Sequence, residues 1–152
     1  MSLNLSWIVK DFDSLSQDAL YEMLHLRAAV FVVEQNCPYQ DLDCKDQKAL
    51  HVFGYHNKKL VGYTRILPPG VGYQNYIAIG RVVVNTQYRN KQIGNQLMEK
   101  SIAVCKEYHP NQPIKISAQA HLKNFYNRHG FEYRGEDYQE DGIPHCAMYL
   151  EF

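Results

Sequence analysis

The sequence predicts a mixed α/β (α+β) fold, with a mostly antiparallel central sheet and helices on both faces. Three observations predict it. Short β-branched and aromatic runs alternate with stretches whose apolar residues recur at helical spacing. Two runs, His51–His56 and Leu60–Leu67, flank Asn57-Lys58-Lys59, the pattern of an antiparallel hairpin with a short turn. Later runs are separated by helical stretches, as in strand–helix–strand crossovers. A sheet with both kinds of connection is mixed, and its crossover helices imply cover on both faces.

Trp7–Phe12 reads as the first strand. Asp13 or Ser14 is placed to cap the next helix, in which Leu15, Ala19, Leu20, Met23, Leu24 and Leu26 share a helical period. The pattern can extend through Arg27–Gln35, and Pro38 ends it at the latest. Residues 36–49 form a polar loop rich in Asp. Pro68-Pro69-Gly70 stops the second hairpin strand. Ile77–Val84 is a nearly continuous apolar run, which predicts a central strand. A helix follows from Gly94 to about Glu107, with Leu97, Met98, Ile102, Ala103 and Cys105 as its apolar positions. Beyond the Pro110–Pro113 turn, Ile114–Ala118 is a strand. His121–His129 is a short helix with Gly130 as its C-cap. Phe131–Arg134 begins another strand, and Ala147–Phe152 is the last. No repeat, low-complexity tract or linker interrupts the order, so residues 1–152 read as a single domain.

Composition excludes several function classes. Sixteen basic and sixteen acidic residues cancel, which argues against broad electrostatic binding to nucleic acid or to an anionic membrane. No apolar run has the length of a membrane span. Met1–Trp7 lacks a basic segment followed by an apolar one, so no signal peptide is expected and the expected location is cytoplasmic. Cys37, Cys44, Cys105 and Cys146 are too few and scattered for a disulfide framework. Cys37 and Cys44 lack zinc-site spacing. Asp41, Asp43 and Asp46, near His51, lack the Gly and terminal Glu of a calcium loop. No metal is expected, and the loop reads as solvated acid. The twelve tyrosines and an edge strand leave a homodimer open.

The most informative segment runs from Val82 to Met98. An apolar strand ends in a polar turn containing Arg89 and Lys91, followed by Gly94 and an amphipathic helix. Backbone N–H groups of such a turn and helix start converge, the helix dipole favours negative charge, and two cations flank it. That suits a phosphate. An ordinary strand–turn–helix connection is the competing reading.

The element order and two motifs resemble the GNAT superfamily of acyl-CoA-dependent N-acetyltransferases, over essentially the whole chain. Arg89-Asn90-Lys91-Gln92-Ile93-Gly94 is similar to the family's Arg/Gln-x-x-Gly-x-Gly/Ala motif, with Gln92 in place of one glycine. Gln92 can still present its N–H if its backbone angles are ordinary. Asn124-Phe125-Tyr126-Asn127-Arg128-His129-Gly130-Phe131 is similar to the family's Phe-Tyr-x-x-x-Gly-Phe signature. Arg27–Tyr39 and Glu140–His145 resemble the terminal signatures of the ElaA-like branch.

The resemblance implies acetyl transfer from acetyl-CoA to a primary amine by direct attack in a ternary complex, on a small molecule or a protein amino group. A non-catalytic acyl-CoA sensor on the same fold is the alternative. It implies that Tyr126 is the proton donor to the leaving thiolate. The backbone of Val82, Val83 and Val84 would pair with the pantetheine amides. Arg89, Asn90, Lys91, Gln92, Ile93, Gly94 and Asn95 would bind the pyrophosphate. Gln119 and Asn124 are further cofactor contacts. A general base is expected because an alkylamine is mostly protonated at neutral pH. Glu34, with a pKa raised by partial burial, and His145 are the candidates. Arg27 and Phe31 are expected at the acceptor, with internal pairing of Arg27 to Asp43 or Asp46 as the other reading. The acidic loop would attract a cationic amine.

Overall fold

The computed structural model describes residues 3–152; Met1 and Ser2, part of the segment read for a leader, lie outside the described residues. Seven strands form one sheet in the order β1-β2-β3-β4-β5-β7-β6. The strands are β1 (Ser6–Asp11), β2 (Leu50–His56), β3 (Lys59–Leu67), β4 (Ile77–Val84), β5 (Ile114–Gln119), β6 (Glu132–Glu140) and β7 (Ile143–Leu150). Every pairing is antiparallel except β4–β5, so the sheet is mixed and mostly antiparallel, as expected.

Helix α1 (Gln17–Arg27) lies on one face, where Met23, Leu26 and Val30 pack on Phe53, Leu60, Tyr63 and Val83. Helices α2 (Ile93–Tyr108) and α3 (Lys123–Arg128) lie on the other. There Leu97, Met98, Val104, Cys105 and Tyr126 pack on Val52, Ile66, Ile77, Ile79, Ile116 and Ala118. No helix among the described residues is long and apolar enough to cross a membrane.

Four local expectations are corrected. The cap of α1 is Ser16, not Asp13 or Ser14; its Oγ accepts the Ala19 N–H at 3.0 Å, while Asp11 caps a preceding 3-10 turn. The stretch after α1 does continue, but as a π-helical segment, Ala28–Glu34. Its wider turns carry the Gln35 N–H to the Val30 carbonyl and the Cys37 N–H to the Val32 carbonyl. The last two strands are longer than expected and form a hairpin closed by Asp141-Gly142, both at positive φ. The Asp-rich loop is not solvated: Asp41 and Asp46 are buried.

Two features of β4 shape the site. It pairs with β5 only at Ile77↔Ile114 and Ala78↔Lys115, after which the strands part. Its register with β3 also shifts at Arg81, which has φ 50°. Ile79 faces α2, yet beyond this bulge Val82 and Val84 face α2 and Val83 faces α1. One extra residue has exchanged the two faces.

Candidate functional site

Where β4 and β5 part, a cleft of about 970 Å³ opens between them. One wall is the unpaired edge of β4, with Val82, Val83 and Val84. The other carries Ser117 and Gln119 of β5. The N–H and C=O groups on the β5-facing edge of β4 have no strand partner there. Such an edge accepts an extended ligand as an added strand.

The loop that joins β4 to α2 closes one end. Asn90 and Gln92 have φ of 64° and 63°, with Lys91 between them outside the positive-φ region. Alternation of this kind turns successive N–H groups into one concavity, an anion-binding nest. The N–H groups of Ile93, Gly94 and Asn95 in the first turn of α2 add donors without helical partners. Gln92 therefore adopts the left-handed conformation natural to the family's glycine, so the condition of ordinary angles is not met. Its side-chain amide oxygen accepts from Asn95, whose own Oδ1 is held by His129 Nε2 at 2.9 Å.

Tyr126, on α3, is 7% exposed and its ring packs edge-on against Phe125 and Phe131. It lines the cleft. Burial pushes its pKa up to about 12, so the phenol stays protonated.

Beyond β5 the register places His145 beside Gln119 and Tyr138 beside His145, all on the α1 side of the sheet. His145 is buried and its ring stacks on Tyr138. Its Nδ1 lies 2.7 Å from the Ile143 carbonyl, which can only accept, so Nδ1 carries the proton. Nε2 is left facing the Glu140 carboxylate at 3.4 Å. Ser117 Oγ donates to the other Glu140 oxygen at 3.2 Å and accepts from Tyr138 at 2.5 Å.

Two expected roles are corrected. Arg27 is wholly buried, with Nε on Asp41 and Nη1 on Asp46, both at 2.9 Å. It is unavailable to an acceptor, and its internal pairing is the reading that holds. Glu34 is not a carboxyl with a raised pKa. Arg89 grips it through two hydrogen bonds of 2.6 and 2.7 Å and lowers its pKa. Phe31, Arg89, Asn90, Gln92, Ile93, Gly94, Asn95 and Gln119 line the cleft, whereas Lys91 and Asn124 are exposed and lie outside its lining.

Sequence reasoning missed the rest of the Arg–Asp cluster. Arg65 holds Asp43 at 2.7 and 2.9 Å and Asp46 at 3.0 Å. Arg81 reaches Asp41 at 2.8 Å. Three guanidinium groups thus neutralise three carboxylates in a cluster that ties α1, the 36–49 loop, β3 and β4 together. Among the described residues no group of His, Cys, Asp and Glu is arranged to hold a metal ion. Ser117, on β5, and Tyr138 were also missed; only the β6–β7 pairing brings Tyr138 beside His145.

Comparison with known proteins agrees with this geometry. Residues 13–152 match the Acetyltransferase (GNAT) domain family. The chain is 44% identical to Protein ElaA of Escherichia coli K12 over 97% of both chains. The crystal structure of E. coli ElaA superposes with a TM-score of 0.91 at 43% identity, covering 97% of this chain and 100% of that one. An acyl-CoA N-acyltransferase from Pseudomonas aeruginosa gives 0.91 at 39% identity, covering 97% and 99%. The chain belongs to the GNAT acetyltransferase family, in its ElaA-like branch.

Proposed function

We propose that this protein moves an acetyl group from acetyl-CoA to a primary amine by direct attack in a ternary complex. One observation carries the reading: the free edge of β4 and Tyr126 share one cleft, which ends in a loop whose backbone angles alternate as in an anion-binding nest. Acetyl-CoA supplies the thioester. The nest and the start of α2 would take its pyrophosphate, with Arg89 and Lys91 as nearby cations. The β4 edge would pair with its amide chain, and backbone N–H groups at the bulge would support the thioester oxygen as it gains charge.

The acceptor must be neutral to attack. In the neutral ring the bond at Nδ1 leaves Nε2 as the free acceptor, and Nε2 takes a proton from the ammonium. The nitrogen then bonds to the acyl carbon, the C–S bond breaks, and the surplus proton on the nitrogen passes to solvent. The departing thiolate takes the Tyr126 proton, and the phenolate recovers one from solvent. Transfer from a phenol near 12 to a thiolate whose thiol has an ordinary pKa of about 8.5 is uphill, so prompt reprotonation of the phenolate must draw it forward. Cys37 lines the cleft, but its thiol points to the Asp141 carbonyl. Nothing there favours a covalent acyl-enzyme.

The test is thermal unfolding with acetyl-CoA, with ATP as comparator, followed by turnover of an amine panel. Ligand at about 100 times its Kd adds roughly 2.7 kcal/mol, a readable shift. Tyr126→Phe is expected to keep that shift and lose kcat about 100-fold, within the range of general-acid effects. No shift at saturating acetyl-CoA overturns the reading. A shift with no turnover by the wild type identifies a sensor.

A further inference from the structure

The cleft has charge left over on its acceptor side. Arg65 and Arg81 are spent on Asp43 and Asp41, and Arg89 on Glu34. Among the described residues, the lining carboxylates with no Lys or Arg partner are Glu140 and Asp141, at the turn of the β6–β7 hairpin. Lys45 lines the cleft as well, but beside Asp43.

Glu140 is also placed by construction of the hairpin. Its Oε1 is fixed by Ser117, which Tyr138 orients in turn. Its Oε2 faces His145 Nε2. When His145 is neutral, the proton is on Nδ1, so two acceptors face each other at 3.4 Å with no hydrogen between them. An N–H donor bearing positive charge satisfies both at once. An alkylammonium is such a donor, and it brings its nitrogen to the group that must deprotonate it.

We propose that Glu140 is the acceptor anchor: its carboxylate receives the acceptor's ammonium beside His145, which makes the substrate class alkylammonium amines with no acidic group next to the nitrogen. A carboxylate on the adjacent carbon would be driven against Glu140 and Asp141. The shared chemistry covers free alkylamines and lysine side chains. This inference rests on the acetyltransfer reading.

The experiment has a binding arm and a turnover arm, both on the full chain. Titration of the CoA-saturated protein with 1,4-diaminobutane should show binding that weakens at least tenfold in Glu140→Gln and is largely restored in Glu140→Asp. Glu140 is half exposed, so the variants should fold, and an unchanged acetyl-CoA melting shift verifies it. In turnover, Glu140→Gln should raise KM for the amine at least tenfold with a smaller effect on kcat. 1,4-Diaminobutane and a blocked lysine peptide distinguish the small-molecule from the protein source, while glycine and glutamate should be poor acceptors. Equal diamine binding by wild type and Glu140→Gln, or faster turnover of glutamate than of the diamine, overturns the inference while leaving acetyltransfer intact. Loss of the acetyl-CoA shift in the wild type instead overturns the reading beneath it.

Discussion

Gln92 holds a conformation that costs an L-residue about 1–2 kcal/mol, of which glycine would return part through its larger unfolded-state entropy. Gln92→Gly is therefore expected to stabilise the protein by up to about 1 kcal/mol, less whatever the Asn95 bond contributes. A raised urea midpoint with an unchanged slope checks it. Three positions earlier in the chain, Arg89 presents a different conflict. Glu34 occupies the guanidinium that the phosphate end of the cleft would use. The pair is about 40% exposed on both sides, so it contributes no more than about 1 kcal/mol and is screened by salt. Glu34→Gln should tighten CoA binding by up to about fivefold at low salt, with the difference shrinking as salt rises. Weaker CoA binding in that variant would mean that Glu34 positions Arg89 rather than competing for it.

Hairpin β6–β7 shows why some elements were legible and others were not. The central strand, α2 and the first hairpin announce themselves because burial on one or both faces imposes a period. Strand β6 is exposed along nearly all its length, so Glu132–Glu140 has no apolar alternation to read. The signal that was present is Asp141-Gly142, a pair that favours the positive φ both residues adopt. Likewise the bulge at Arg81 has no marker: it depends on pairing with β3, which spacing along one strand does not encode. The turn matters because Glu140 and His145 flank it. Gly142→Ala places a Cβ at φ 76°, and should cost about 1 kcal/mol and reduce amine turnover more than acetyl-CoA binding. Equal losses in both would separate the hairpin from the acceptor side.

At the scale of the whole molecule, the loop between β4 and α2 and Tyr126 were legible because each sits in a local motif, whereas the Arg–Asp cluster joins residues from four separate segments. Asp41, Asp43 and Asp46 looked like a solvated loop because their partners, Arg65 and Arg81, lie in strands that read as ordinary core. The same cluster sets the response to acid. Burial pushes the Asp43 carboxyl up, but the bonds and charge of Arg65 outweigh it and hold the pKa at about 2; Asp46 is lowered by Arg27 and Arg65 in the same way. A carboxyl lowered in the folded state stabilises above its ordinary value of 3.8 and loses that contribution as pH falls toward the folded value. His51 adds an earlier step. It is wholly buried between the Tyr63 hydroxyl and the Asp46 carbonyl, and burial lowers its pKa below 6.5. The unfolded chain therefore takes up that proton first, and stability declines as pH drops below about 6.5. Urea midpoints measured from pH 8 to pH 3 should show a plateau above 7, a shallow fall below 6.5 and a steeper one below 4. Asp43→Asn should lower the plateau and flatten the steep limb while leaving the shallow one. A steep limb unchanged in that variant would place acid sensitivity outside the cluster.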